Sequence, residues 1–383
     1  MAYILDGLRS YIGIENSMYR HVPAEEIGAR VIDALADKTG IKQVDCIIAG
    51  NGVAAGGNVA RVMTLSSVFG VETPAFTIDL QCGSALESIA VAAAKIDSGQ
   101  ADIIIAGGFE SSSTAPKRAY NKNHPDYEKY GDKWYKVAKF VPDEHRQEAM
   151  LEGAERTAIS EGITREELNK WVLRSHRLAR EARDNGVLDD ITVEIIKGCS
   201  EDEGIRERMS DRLLNRLPAV LKGGKVITAG NACLTNDGAA FLILCSDRYL
   251  RENLLTPIGE FVDIVEIGSN PEQSPKSCIA AIDRLLRKND ISPAEIDIYE
   301  CNEAFAVIDE LFAKKYPAEI DKYNIFGGAL AYGHPYGASG GIITLHALKA
   351  LEKRNGAYAV CAVAAAGGVG SAVLIKNKVQ NGV

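Results

Sequence analysis

The chain has 383 residues, of which 46% are hydrophobic and 25% charged, and its formal net charge is −9. This length allows one large core or two or three modest ones, while the acidic balance argues against nucleic acid as the main partner. No apolar run approaches the ~20 uncharged residues that span a bilayer, and the charged N-terminus does not fit a signal peptide.

Helix-like and strand-like segments alternate along the chain, which is the pattern of an α/β protein. The helix-then-strand pairs are predicted over 23–38 and 46–50, 86–96 and 101–108, 274–289 and 295–300, and 339–354 and 357–366. The early and late pairs share one arrangement, with glycines after two of the strands. This recurrence indicates two α/β halves related by an internal duplication.

Between the halves, over about 111–221, the composition changes. Residues 117–146 are rich in Tyr, Lys, His and Asp with little periodicity, and helices are predicted over 146–161 and 165–185. Insertions on α/β folds often carry substrate contacts. We therefore expect an insertion that covers the active face of the first half.

Cys82 stands at a predicted strand-to-helix corner. Free N–H groups and the positive end of a helix dipole favour a thiolate at such a place, and Gly83 allows close approach to the sulfur. Taken alone, the same residue also fits a small buried core thiol.

The other cysteines and the histidines show no ligand spacing. The eight cysteines lie singly without a CxxC pair, and the six histidines form no HxxxH pair. This pattern is typical of reduced thiols in the cytoplasm and does not fit a metal site. We expect a cytoplasmic protein without a metal, a membrane partner or a nucleic-acid partner.

Two further motifs carry chemistry. His334 lies in a glycine-dense loop, and Pro335 restricts its backbone to an extended conformation, which favours a positioned base. Asn302 follows a predicted strand, where its amide can orient a water or an oxyanion, and Glu303 beside it can orient an imidazole. The Asn302 segment alone also fits an ordinary polar strand-to-helix junction.

Together these motifs resemble the thiolase family in order and spacing. The matching segments are QCGSAL at 81–86, GNACLTNDGAA at 230–240, NEAFA at 302–306 and GGALAYGHPYGASG at 327–340. The resemblance covers essentially the whole chain. It implies an α/β thiolase fold with two duplicated halves in a five-layered α-β-α-β-α arrangement, and a homodimer or homotetramer.

The implied domains are an N-terminal half over 1–115 and 222–245, an inserted loop domain for coenzyme A over 116–221, and a C-terminal half over 246–383. The implied activity is that of an acetyl-CoA acetyltransferase-type acyl-CoA C-acyltransferase. Acyl-CoA and CoA are then substrates, and no separate cofactor is expected.

The resemblance also assigns roles residue by residue. Cys82 is implied as the acyl-accepting nucleophile and His334 as its base. Asn302 holds a water in one oxyanion hole, and the backbone N–H groups of Cys82 and Ala366 form a second. The residues implied in coenzyme A binding are Arg206, Cys233, Phe305 and Met150.

The sequence departs from the family at its last motif. Thiolases carry a second catalytic Cys there, which moves the proton at Cα, and registration on Gly367 and Gly368 puts Ala364 at that place. Cys361 lies three residues earlier in a strand, so it faces the opposite side and is expected to pack in the core. Acylation of Cys82 does not need the missing group, whereas the carbon–carbon step does.

Three functions follow. The first is a thiolase-type acyltransferase in which a water, His334 or another thiol, with Cys301 as a candidate, replaces the missing group. The second is a condensing enzyme that uses a decarboxylating malonyl thioester or an activated non-CoA acceptor. The third is a non-catalytic CoA-binding protein or scaffold, against which the intact set of Cys82, Asn302 and His334 argues.

Overall fold

The structure is a computed structural model and describes residues 1–142 and 145–378. Within these residues the strands are Ala2–Ser10 (β1), Gly13–Ile14 (β2), Cys46–Gly50 (β3), Ala75–Ile78 (β4), Ile103–Ser111 (β5), Thr192–Val193 (β6), Asn236–Ser246 (β7), Gly259–Gly268 (β8), Ile298–Cys301 (β9), Tyr358–Ala365 (β10) and Val369–Asn377 (β11). The α-helices are Ala24–Thr39 (α1), Val59–Leu65 (α2), Ser84–Asp97 (α3), Tyr127–Tyr130 (α4), Ala149–Ser160 (α5), Arg165–Asp184 (α6), Asp211–Leu214 (α7), Asp247–Asn253 (α8), Lys276–Lys288 (α9), Ala306–Lys315 (α10), Ala329–Tyr332 (α11) and Ser339–Arg354 (α12). Every helix–strand pair expected from the sequence is present.

The long strands form one hydrogen-bonded path in the order β4-β3-β5-β7-β1-β8-β11-β10-β9. Strands β4, β3 and β5 run parallel to one another, as do β9 and β10. The two halves meet where β1 pairs antiparallel with β8, with Tyr3 opposite Glu260. The duplicated halves therefore share a continuous sheet edge to edge.

Helices fill three layers around these strands. Helices α3 and α12 pack against each other and against strands of both halves, so they lie between the two halves of the sheet. Helices α1 and α2 pack on the outer face of the first half, and α9 and α10 on or beside that of the second. Three separate apolar clusters, one central and two outer, match these interfaces. The five-layered arrangement expected from the sequence is thus confirmed.

A buried salt bridge connects the segment between β5 and β7 to strand β1. Arg9 is 1% exposed and donates two hydrogen bonds of 2.9 Å to the carboxylate of Asp202, which also accepts the N–H of Ile12. Short strand β6 pairs parallel with β1, so the segment also contributes to the sheet. The domain limits at 115, 221 and 245 stay a prediction.

Glycines bring the histidine-bearing loop directly onto the ends of β3 and β5. A Cβ atom on Gly108 would lie 1.9 Å from the carbonyl oxygen of Gly337, and one on Gly50 would lie 2.7 Å from the same oxygen. Real Cβ contacts are never this short, so only glycine permits the approach. The histidine-bearing loop of the second half therefore lies directly against the strand ends of the first half.

Candidate active site

Cys82 lies in a single 3₁₀ turn, Gln81–Gly83, between β4 and α3. Gln81 adopts a left-handed backbone conformation, with φ of 51°, which is uncommon for a residue with a side chain. The turn is held by Asp79, whose carboxylate accepts the N–H of Gln81 at 2.9 Å, and by Ser84, whose hydroxyl accepts the N–H of Leu80 at 2.8 Å. The predicted strand-to-helix corner is therefore present, and a strained residue precedes the thiol.

The protonation state of Cys82 differs from the prediction. The thiol is 7% exposed, and burial raises its pKa to about 12, although the backbone N–H groups of Cys82 and Ala366 act in the opposite direction. The N–H groups thus favour the thiolate as predicted, but desolvation of the anion outweighs them and the net pKa is raised. The resting nucleophile is a neutral thiol.

His334 is placed to take the proton of that thiol. Its Nε2 atom lies 3.1 Å from Cys82 Sγ and 3.2 Å from Asn302 Nδ2. The imidazole is 1% exposed, and burial lowers its pKa to about 3. The ring is therefore neutral at physiological pH and able to accept a proton.

Ser339, at the start of α12, fixes which ring nitrogen is free. Its hydroxyl donates to the carbonyl of Pro335 at 3.0 Å and lies 2.6 Å from His334 Nδ1. The amide nitrogen of Asn302 can only donate, so Nε2, 3.2 Å away, is the acceptor that faces Cys82. Nδ1 then carries the ring hydrogen, which the Ser339 oxygen accepts while its own hydrogen is directed at Pro335. Sequence reasoning missed this residue, although its position five residues after His334 was a usable signal.

The backbone of Asn302 is anchored to β10, and its neighbour Glu303 has contacts other than those predicted. The N–H of Asn302 donates to Ala362 in β10 at 2.9 Å. Glu303 accepts from Ser175, Asn324 and the N–H of Leu330 at 2.7, 2.9 and 3.2 Å. The interpretation of Glu303 as a partner of an imidazole was therefore wrong: it ties the insertion to the histidine-bearing loop.

Ala364 and Cys361 face opposite sides of β10, as their odd spacing predicts. Ala364 is 2% exposed in the outer apolar cluster of the second half, and Cys361 is fully buried in the central cluster. Cys301 is 1% exposed in the same outer cluster as Ala364, and its pKa is raised by burial and, after it, by contact with the thiol of Cys278. Cys301 is engaged in core packing, which disfavours it as the replacement thiol.

The four residues implied in coenzyme A binding fall into two places. Met150 and Cys233 are half-buried and pack against the outer cluster that contains Phe305. Arg206 is exposed, and its N–H donates to Nδ1 of the buried His176 at 3.2 Å. Helix α6, which carries His176, therefore sets the backbone position of the arginine.

Glu110 is a buried carboxyl beside the site that sequence reasoning did not assign. Its two oxygens accept hydrogen bonds from Gly52 and Gly337 N–H and from Asn51 Nδ2, at 2.9 to 3.0 Å. No cation lies among these partners, and burial raises its pKa to about 7. The carboxyl joins the end of β5 to the turn after β3 and to the loop that carries His334.

Residues 1–142 and 145–378 show neither a metal site nor a membrane-spanning helix. No group of three or more His, Cys, Asp or Glu side chains has the geometry of a metal site there. In the same part of the chain, no helix combines the length and apolar character needed to cross a membrane.

The site combines a neutral thiol, a neutral imidazole whose free nitrogen faces the sulfur, and backbone N–H groups beside that sulfur. These features define a cysteine-dependent acyl-transfer site. Sequence profiles of the thiolase N-terminal and C-terminal domains match residues 2–248 and 255–377. The chain belongs to the thiolase family and is a thiolase-like acyltransferase.

Individual relatives cover nearly the whole chain. A Bacillus subtilis protein that carries the provisional name acetyl-CoA C-acetyltransferase is 32% identical over 98% of this chain and 99% of its own. Among solved structures, Bacillus anthracis acetyl-CoA acetyltransferase gives a TM-score of 0.91 and human mitochondrial 3-ketoacyl-CoA thiolase 0.89, each 30% identical with 98% of both chains covered. An Ascaris suum thiolase in complex with coenzyme A gives 0.87 at 28% identity, with 98% of this chain and 99% of that one covered.

Proposed function

We propose that this chain transfers acyl groups between coenzyme A thioesters through an acyl-Cys82 intermediate. The observation that carries the proposal is the 3.1 Å contact between Cys82 Sγ and His334 Nε2, with Nδ1 held by Ser339. This arrangement deprotonates the thiol only when a carbonyl carbon accepts the electron pair. The acetyl-CoA acetyltransferase names of the relatives support acetyl as the transferred group.

Each side chain then has one task. Cys82 attacks the carbonyl while His334 takes its proton at Nε2. The N–H groups of Cys82 and Ala366 stabilise the oxyanion on the acyl-enzyme, and the Asn302 amide orients a water for the oxyanion of the incoming thioester. Preorganised donors of this kind contribute about 10²–10³ in rate each.

Coenzyme A itself is the proposed partner, as donor and acceptor, without a separate cofactor. The support is the Ascaris suum thiolase, which is a complex with coenzyme A, and the exposed Arg206 on a supported loop, which suits an anionic ligand. The half-buried Met150 and Cys233 beside Phe305 suit the less polar pantetheine arm. Arg206→Ala should raise KM for acetyl-CoA without changing the rate of acyl transfer at saturation.

The proposal is tested by intact-mass analysis of the protein mixed with acetyl-CoA. A gain of one acetyl group that disappears in Cys82→Ala and slows in His334→Ala supports it, and thiolysis of acetoacetyl-CoA by CoA tests the full reaction. Absence of the adduct in the folded protein would refute it. The condensing alternative is not favoured by the names of the relatives, and the assembled Cys82, His334 and Asn302 argue against a mere scaffold.

We also propose a homodimer that pairs the edge strand β4 with its copy. Strand β4 ends the hydrogen-bonded path, and an unpaired edge invites pairing with another chain. Four apolar side chains nearby are 45–70% exposed: Val62, Leu65, Val68 and Val71. Light scattering should give twice the chain mass, and Val68→Lys with Val71→Lys should shift it toward the monomer; four times the mass would indicate a tetramer.

The cytoplasm is the proposed location. All eight cysteines are free thiols, a state that a reducing compartment maintains. Fractionation of the source cells with an antibody against this chain would test the assignment.

A further inference from the structure

Carbon–carbon cleavage needs a proton donor that the acyl-transfer machinery does not supply. When the acyl group leaves its carbon neighbour, the electron pair remains on that carbon and must receive a proton. Both ring nitrogens of His334 are engaged, Nδ1 with Ser339 and Nε2 with Cys82 and Asn302. Ala364 contributes only a methyl group, and Cys301 is packed in the core.

The segment 231–235 runs between the two loops of the site. The N–H of Cys233 donates to the carbonyl of Ala304 at 3.0 Å, and Ala232 forms a bridge with Phe305. Two residues later, Thr235 forms a bridge with His334. Cys233 is therefore fixed between the segment that carries Asn302 and the loop that carries the base.

The side chain of Cys233 lies near the nucleophile but packs against a different apolar cluster. It is half-buried and packs against the outer cluster that contains Ala364, whereas Cys82 belongs to the central cluster. Burial, and after it the neighbouring thiol of Cys82, raise the pKa of Cys233. Cys233 is therefore a protonated thiol at neutral pH, and its conjugate base is strong enough to recover a proton from another thiol.

Tyr336 is a second protic side chain beside His334. Its ring lies edge-on to His334, with 4.9 Å between the centroids. The thiols of Cys233 and Cys82 both contribute to its raised pKa, after burial. Burial raises the pKa of both groups, so the choice of Cys233 rests on its fixed position between the Asn302 segment and the loop of His334.

We propose that Cys233 is the acid and base of the carbon–carbon step, in place of a thiol at position 364. This inference rests on the proposed function. In thiolysis, Cys82 attacks the 3-carbonyl of a 3-oxoacyl thioester, and the bond between C2 and C3 breaks with its electrons on C2. Cys233 gives its proton to C2, which releases the shortened thioester.

The second half-reaction restores both thiols. The Cys233 thiolate takes the proton of the incoming CoA thiol, whose sulfur attacks the acyl group on Cys82. The sulfur of Cys82 leaves and recovers its proton from His334. One 3-oxoacyl thioester and one CoA give two thioesters, so no oxidant or other reactant is required.

The test compares two rates in the same variants: acetylation of Cys82 by acetyl-CoA, followed by intact mass, and thiolysis of acetoacetyl-CoA by CoA. In Cys233→Ser we expect the rate of thiolysis to fall about 10²–10⁴-fold. The rate of acetylation should fall by a factor at least tenfold smaller. The matched control is Cys199→Ser, a half-buried thiol outside the site, which should leave both rates unchanged. Adding Ala364→Cys to Cys233→Ser should restore part of the thiolysis.

A second readout follows proton transfer to carbon directly. The wild type should exchange the methyl hydrogens of acetyl-CoA with deuterium from the solvent, and Cys233→Ser should not. The inference is overturned in favour of the phenol if both activities survive in Cys233→Ser but are lost in Tyr336→Phe. If both activities survive in both variants, it is overturned in favour of His334. Absence of any acetyl-Cys82 in the wild type would instead refute the proposed function.

Discussion

The hydroxyl of Ser339 offers the sharpest test of how the base is set. In Ser339→Ala, the Nδ1 hydrogen of His334 loses its acceptor at 2.6 Å in a site where the imidazole is 1% exposed. A buried donor without a partner costs about 1–3 kcal/mol. The ring can avoid this cost by moving its hydrogen to Nε2, but there it faces the amide of Asn302 and the thiol of Cys82, and the base is lost.

Either outcome slows acetylation of Cys82. A cost of about 1–3 kcal/mol corresponds to roughly 5–150-fold in rate. We expect little change in KM because Ser339 is 2% exposed and contacts His334 and Pro335. The assay is the time course of the acetyl adduct by intact mass at saturating acetyl-CoA. Thr344→Val is the matched control, since Thr344 is buried on the same helix and donates to the carbonyl of Gly340, away from His334. A wild-type rate in Ser339→Ala would refute the tautomer argument.

Three further predictions use other parts of the site. Burial raises the pKa of Glu110 to about 7 from an ordinary 4.5, so its protonated form stabilises the fold fully below pH ~4.5, and that contribution is lost as pH rises through 7. The loss is on the order of 3 kcal/mol, and Glu110→Gln should remove this part of the pH slope in urea unfolding; equal slopes would contradict the argument. Gly108→Ala should cost about 3 kcal/mol and abolish acetylation, because its Cβ would strike Gly337. Gly268→Ala, with open space around it, should change neither urea unfolding nor acetylation. Cys361→Ala should keep full thiolysis and lose only about 1 kcal/mol of stability; a large loss of activity would show that this thiol reaches the cleft.

The sequence was sufficient for features that depend on local pattern. Hydrophobic periodicity located the paired helices and strands, because one face of each element is buried. The parity of positions along β10 was enough to place Cys361 and Ala364 on opposite faces. The glycines and Pro335 around His334 indicated a fixed base, which the structure places against Cys82.

Features that depend on tertiary burial could not be predicted. At Cys82, backbone N–H groups lower the pKa and desolvation raises it. Only the packed structure shows that desolvation is the larger effect. Glu303 accepts a hydrogen bond from Ser175, which lies 128 residues away in the insertion. No local motif encodes this contact. Glu110 likewise acquires its importance from Gly337, across 227 residues.

The buried, protonated state of Cys82 also bears on the chemical durability of the protein. Peroxides and alkylating reagents react with thiolates far faster than with thiols. Cys82 ionises only while a carbonyl carbon accepts its electron pair. Between turnovers these reagents therefore meet a thiol and very little thiolate. Iodoacetamide should therefore modify the half-buried Cys199 before Cys82, and a rise in pH toward 9 should not reverse that order. Acetyl-CoA should still acetylate Cys82 at neutral pH.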